Sequence, residues 1–186
     1  FSISESIRYG FFQSISIVTT TGYTLDPLSG LGGSIGFLIF VLAFIGACSG
    51  SVGGGMKVWR ILLMLKVGFS NITKIIHPSA INSVKLNGEK IVSSQIEAVF
   101  SFIAIYISFF LLFMLVLIFQ NVDFYSAFSG TAAAINNLGP GLGSFSENYS
   151  ALSDVGKFTL TMAMIVGRLE LFGVVILFVQ SFCRSY

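Results

Sequence analysis

Charge is scarce in this chain. Only 10% of its 186 residues are Asp, Glu, Lys or Arg, while 54% are hydrophobic and the mean hydropathy is +0.89. A soluble domain carries about 25% charged residues, so this surface is not built to face water and a membrane setting follows. The net charge of +2 is small and the basic residues are not clustered with aromatics, which argues against nucleic acid as a partner. Histidine occurs once, as His77, in a segment expected to lie outside the membrane. An intramembrane enzyme built on Ser49 or Cys48 would therefore lack a base within reach. The two cysteines, Cys48 and Cys183, both stand in apolar runs. They read as small buried hydrophobes, neither a disulfide nor a metal pair. The chain opens on Phe1 with no initiator Met and no signal peptide, so it is expected to start partway along a longer protein.

Three apolar runs approach the length of a membrane span, which needs about 20 residues for a ~30 Å core. Ile96–Phe119 carries one charge, Glu97, and is the cleanest. Val155–Cys183 is interrupted by Arg168 and Glu170, and Ser34–Gly50 is marginal and glycine-rich. Two further stretches, Glu5–Thr20 and Phe124–Ile135, are too short: at 1.5 Å per residue they reach only about 18–24 Å. Each ends in a turn-forming cluster, Thr21-Gly22-Tyr23 or Leu138-Gly139-Pro140-Gly141. Entering and returning on the same side is the economical reading. Such non-helical backbone is tolerated only inside protein or against a water-filled cavity.

The two short stretches are also related to each other. A shift of 117 positions places Phe11 on Phe128, Ser14 on Thr131, Thr20 on Asn137 and Gly22 on Gly139. Each copy then reads short helix, polar pair, glycine, loop, spanning helix, a pattern of structural repeats. Charge gives the expected orientation. Lys57, Arg60, Lys66, Lys74, Lys85 and Lys90 crowd residues 57–90, whereas Asp26, Asp123, Glu147 and Asp154 sit in the loops that carry the turn clusters. Basic loops stay cytoplasmic, so both turn clusters are expected to open outside.

The segment Ser14–Thr24, SISIVTTTGYT, carries the chemistry. A helix dipping in from outside aims its negative C-terminal end at the membrane centre, where it favours a cation. The chain then climbs back through Thr20, Thr21, Gly22 and Tyr23, and glycine permits backbone angles that turn a carbonyl toward the axis. Carbonyl oxygens in such a loop can replace the hydration shell of a monovalent ion. An ordinary Thr/Gly turn between helices is the plainer alternative, which the matching glycine Gly139 disfavours. Inside this loop, Gly46–Lys57 holds Gly46, Ser49, Gly50, Ser51, Gly53, Gly54 and Gly55, and should interrupt the inner helix. It reads either as a compact loop able to shift or as close packing through small residues. Its spacing fits neither a phosphate-binding loop nor a nucleophile elbow. Arg168, placed mid-span, costs about 2.5–3.5 kcal/mol on insertion scales. It should therefore face the cavity or the glycine loop, or clamp a buried carboxylate. Lys57 and Arg60 read as interfacial anchors, and His77-Pro78 as a helix boundary.

Taken together, SISIVTTTGYT, GACSGSVGGGMKVWR, HPSAINSVKLNG, NNLGPGLG and GRLELF resemble the TrkH family of bacterial potassium-uptake proteins, within the Trk/Ktr/HKT superfamily. The resemblance covers nearly the whole chain. It implies an all-α membrane protein built from repeats of spanning helix, re-entrant pore helix plus filter loop, and spanning helix. Residues 1–93 would be the third-repeat pore helix, filter, broken inner helix and connector, and residues 94–186 the complete fourth repeat. Potassium would be held in the filter by Thr20, Thr21, Gly22 and Tyr23, and by Asn137, Leu138 and Gly139. The fourth loop offers Asn136 and Asn137 in place of threonines, which suggests looser discrimination than a TVGYG filter. The Gly46–Lys57 loop, with Arg168 against it, would gate the path. The family further implies a homodimer in the cytoplasmic membrane, a TrkA-like nucleotide-binding regulatory subunit, and no organic cofactor. A secondary transporter holding a small substrate or sodium at mid-membrane between broken helices is the main rival.

Overall fold

The computed structural model describes residues 3–25, 33–46, 48, 50, 51, 53–77, 85, 86, 89–146 and 148–169. Its elements run α1 (Ile3–Val18), α2 (Gly33–Ile45), α3 (Val58–Ile76), β1 (Lys85–Leu86), β2 (Glu89–Lys90), α4 (Ser93–Phe119), α5 (Phe124–Ile135), a 3-10 turn at Gly143–Phe145, and α6 (Asp154–Arg168). The strands form a small antiparallel hairpin pairing Lys85 with Lys90.

Helix α4 organises the rest. Its 27 residues reach about 40 Å, and among the described residues it alone is long and apolar enough to cross a membrane. Phe102, Tyr106, Phe110, Phe113, Met114 and Leu117 form its buried stripe, at helical spacing. Ile107, Leu111, Leu112 and Leu115 stay apolar and exposed on the other side.

Helix α5 lies against α4, α6 and α2. Nine of its twelve residues are buried, most of them Ser, Ala, Gly or Thr. Small side chains let neighbouring backbones close in, which is how helices pack where lipid removes the hydrophobic drive. Phe128 fills the remaining space, with ring centroids 5.4 Å from Phe110, 6.1 Å from Phe44 and 6.2 Å from Phe37. Helix α1 packs on α2 and buries only Gln13, Ser16 and Ile17.

Several sequence expectations change in detail. Helix α2 stops at Ile45, where Gly46 turns to φ +67°, so it falls short of a full span. The first half of the basic segment 57–90 is not a bare connector but the amphipathic helix α3. Its Leu63 and Val67 pack with Val99, Trp59, Ile91 and Ile96. Arg60, Lys66 and Lys74 obscure that apolar stripe in the sequence. As expected, α3 ends before His77, whose N–H bonds the Thr73 carbonyl at 2.9 Å. Cys48, expected to be buried, is exposed in the glycine-rich loop. Ser49, Glu170 and Cys183 lie outside the described residues.

Helices α5 and α6 begin on side-chain caps. Ser153 Oγ accepts from Gly156 N at 3.1 Å, and Asp123 Oδ2 accepts from Ser126 N at 2.9 Å. Hydrogen bonding from Ser126 holds the Asp123 carboxyl below the usual carboxylate range. Its cap therefore stabilises the fold fully above the unfolded-state pKa and fades as pH falls through the lower folded-state value. Asp123→Ala should cost about 1 kcal/mol at neutral pH. The deficit, read as the thermal midpoint in detergent, should shrink toward acid pH, and Asp123→Asn should keep most of the cap.

Candidate functional site

The turns after α1 and α5 have the same backbone. Thr20 N bonds Ile17 O at 3.0 Å and Thr21 N bonds Ser16 O at 2.8 Å. Asn137 N bonds Ala134 O at 3.0 Å and Leu138 N bonds Ala133 O at 2.8 Å. Both are Schellman closures, which place the residue after the cap in the left-handed region. Thr20 has φ +55° and Asn137 +54°, and two residues on Gly22 has +81° and Gly139 +101°. Every donor, acceptor and positive φ in this set recurs at the 117-residue shift read from the sequence. Asparagine tolerates such a φ, but a β-branched threonine there is a strained outlier.

The two loops also meet. A Cβ added to Gly22 would overlap the Leu138 carbonyl oxygen and lie 3.4 Å from Pro140 Cδ. The Tyr23 side chain is exposed, and its carbonyl accepts from Ser16 Oγ at 2.7 Å. Thr21 bonds Thr19 hydroxyl to hydroxyl at 2.8 Å.

The second loop is clipped along α5 by residues that pattern alone did not single out. Ser129 Oγ donates to Leu142 O at 3.1 Å and accepts from Leu142 N at 3.0 Å, and Ser126 Oγ accepts from Ser144 N at 2.9 Å. Beneath it, buried Tyr106 of α4 donates to Asn136 Oδ1 at 2.7 Å. A tyrosine within an apolar helix, thirty residues from Asn136, gives no sequence signal for that bond. With its amide turned to suit its neighbours, Asn137 donates to Met164 O (3.3 Å) and accepts from Arg168 N (3.2 Å). These two groups stand one helical turn apart at the end of α6.

The glycine-rich loop closes on the same place from below. A Cβ on Gly54 would overlap the Asn136 carbonyl, and one on Gly167 of α6 the Ile135 carbonyl. Gly46 in turn packs on Gly54 and Gly55, with 2.7 Å from its added Cβ to Gly54 O. Ser51 Oγ accepts from Gly53 N at 3.1 Å, whereas Gly50 faces open space. A cavity of about 60 Å3 is lined by Gly53, Gly54, Gly55, Lys57, Arg60, Phe102, Tyr106, Ile135, Gly167 and Arg168. Arg168 thus joins the glycine loop, as expected. It does so from the last turn of α6, with Leu169 as C-cap, and the rest of the expected span, residues 170–183, lies outside the described residues. Lys57 and Arg60 are not rim anchors. Lys57 is 5% exposed, and the Arg60 guanidinium stacks 3.9 Å over the Phe102 ring, so both point inward.

A mainly helical architecture in which two matched helix-and-turn units meet is thereby defined, and comparison with known proteins gives it a family. The TrkH family, cation transport proteins, matches residues 2–185, and this chain belongs to it. It is 42% identical over 181 residues to the Trk system potassium uptake protein TrkH of Halomonas elongata, covering 97% of this chain and 38% of that one. Against the protein of the same name from Escherichia coli K12 the identity is 40% over 180 residues, covering 97% and 37%. The crystal structure of the potassium transporter TrkH from Vibrio parahaemolyticus superposes with a TM-score of 0.89 at 38% identity, over 97% of this chain and 39% of that one. The chain thus spans about two fifths of the length of these relatives. The fold is the TrkH fold of repeated spanning helix, pore helix and spanning helix.

Backbone-to-backbone contact at Gly54 and Gly167 leaves no room for a methyl group. Gly54→Ala and Gly167→Ala should each destabilise the protein by about 1–3 kcal/mol. Gly50→Ala, where nothing lies within 4 Å, should be neutral. Thermal melts of the three purified variants decide this, and equal midpoints would contradict the packing.

Proposed function

We propose that this chain supplies two of the pore loops of a potassium-uptake protein. The observation that carries the reading is the meeting of two loops with one backbone geometry, Gly22 against the Leu138 carbonyl. The carbonyls of Thr20, Thr21, Gly22, Asn137 and Leu138 then offset the dehydration of K+. Tyr23 and Gly139 complete the two filter segments. The C-terminal ends of α1 and α5 add their negative dipole ends at the inner end of the filter, toward the membrane centre. Two loops flank an ion on two sides only, so further loops of a longer protein complete the ring. Residues 1–93 act as the third repeat and 94–186 as the fourth.

Below the filter, the Gly46–Lys57 loop and Arg168 form the gate. Its glycines give the loop freedom to move, and the arginine puts positive charge on the cavity wall, where it opposes a cation. The filter loops face outward and residues 57–90 the cytoplasm, in a multi-pass protein of the cytoplasmic membrane. The resemblance to Trk system proteins supports a homodimer served by a TrkA-like nucleotide-binding regulatory subunit.

Gly22→Ser places a side chain at φ +81° in contact with the opposite loop. It should abolish K+ over Na+ discrimination in cation-flux measurements on the full-length protein, and unchanged discrimination would remove Gly22 from the filter. Arg168→Ala should raise K+ flux. Unaltered flux in folded protein would leave the arginine a structural role alone.

A further inference from the structure

The two loop glycines are held by different means. Gly22 is wedged against the Leu138 carbonyl, whereas a Cβ on Gly139 would meet nothing within 4 Å. Gly139 has φ +101°, and its carbonyl belongs to the peptide bond with Pro140, which has no N–H. The space a side chain would take at Gly139 is thus open, and rotating the peptide strands no donor. What holds it is a hydrogen bond: Tyr149 Oη donates to Gly139 O at 2.9 Å.

Tyr149 is itself firmly placed. Its ring stacks on Phe145 with centroids 4.9 Å apart and planes 20° apart. Phe145 is buried against α5, where a Cβ on Gly130 would lie 2.7 Å from its ring. Gly141, between loop and clamp, would bring an added Cβ to 3.1 Å from the Tyr149 hydroxyl. An Asx turn, Ser150 N to Asn148 Oδ1 at 3.1 Å, fixes the backbone beside the tyrosine. Burial pushes the phenol up to about 12, so it stays a protonated donor throughout the physiological range.

We propose that Tyr149 is a positioning residue for ion selectivity: through the Phe145–Tyr149 stack it locks the Gly139–Pro140 peptide and so fixes the carbonyls of the second filter loop. The inference rests on the potassium reading above. It predicts that Tyr149→Phe, which keeps the ring and its stacking but removes the donor, alters ion preference without altering the fold.

The test uses the full-length protein in proteoliposomes, with KCl and NaCl as probes and Gly22→Ser as a control. Loss of one neutral hydrogen bond corresponds to about a fivefold change. Tyr149→Phe should therefore raise KM for K+ about fivefold and lower K+ over Na+ preference, with maximal flux retained. The K+ concentration that half-maximally raises the thermal midpoint in detergent should shift by the same factor, while the K+-free midpoint stays put. Wild-type KM and preference in Tyr149→Phe, beside lost discrimination in Gly22→Ser, would overturn the role of Tyr149 and leave the potassium reading standing. A fall in the K+-free midpoint matching the loss of affinity would reduce Tyr149 to a general structural contact and overturn the proposal. Absence of K+ preference in the unaltered protein would overturn both readings at once.

Discussion

Three carbonyls at the end of α5 are each met by a glycine from a different part of the chain. Gly167 of α6 closes on Ile135, Gly54 of the glycine-rich loop on Asn136, and Gly22 of the first loop on Leu138. This backbone-on-backbone contact is the constraint on which the rest depends. A single methyl group at any of the three would push a separate segment away from the same turn. The sequence of α5 serves the same end, since its serines, alanines and Gly130 leave the helix thin enough to be enclosed on several sides. Bulk is supplied instead by α4 and by Phe128, whose aromatic contacts are each worth about 0.5–1.5 kcal/mol beyond the area they bury.

Repetition brings the loops together but does not make them equal. The first copy sets a threonine where the backbone demands a left-handed residue, and the second sets an asparagine. Its side chain gives Asn137 a partner in α6, whereas the hydroxyls of Thr19 and Thr21 are turned to each other. The first helix is largely open on its flank, while the second is enclosed. Equal backbones in unequal surroundings give the two glycines different supports.

Much of this was legible from residue order alone. Helices too short to cross, each ending in glycine, sufficed to place α1 and α5, and the 117-residue shift anticipated a match that extends to individual hydrogen bonds. The boundary at His77 followed from the proline after it. Other features were not legible, for physical reasons. A lysine beside a run of glycines looks like an interfacial anchor, because nothing local reveals that Lys57 is folded inward beside Arg60 and Phe102. Helix α3 hid because its basic residues share the window with its apolar stripe. The bond between Tyr106 and Asn136 joins positions thirty residues apart, and only the packing of α4 on α5 creates it. The placement of Arg168 was half visible. Its neighbourhood followed from the cost of a buried charge, but its position at a helix end did not.

Asn137 has a double duty whose consequence reaches beyond the turn it occupies. The residue that makes the left-handed step tolerable also sets its amide against both the Met164 carbonyl and the Arg168 N–H. The last turn of α6 thus carries bonds to a side chain from the loop above it as well as those of its own backbone. Strain and movement therefore share a single joint. If the helix end bearing Arg168 swings, it must either drag the loop with it or give up both bonds to the Asn137 amide.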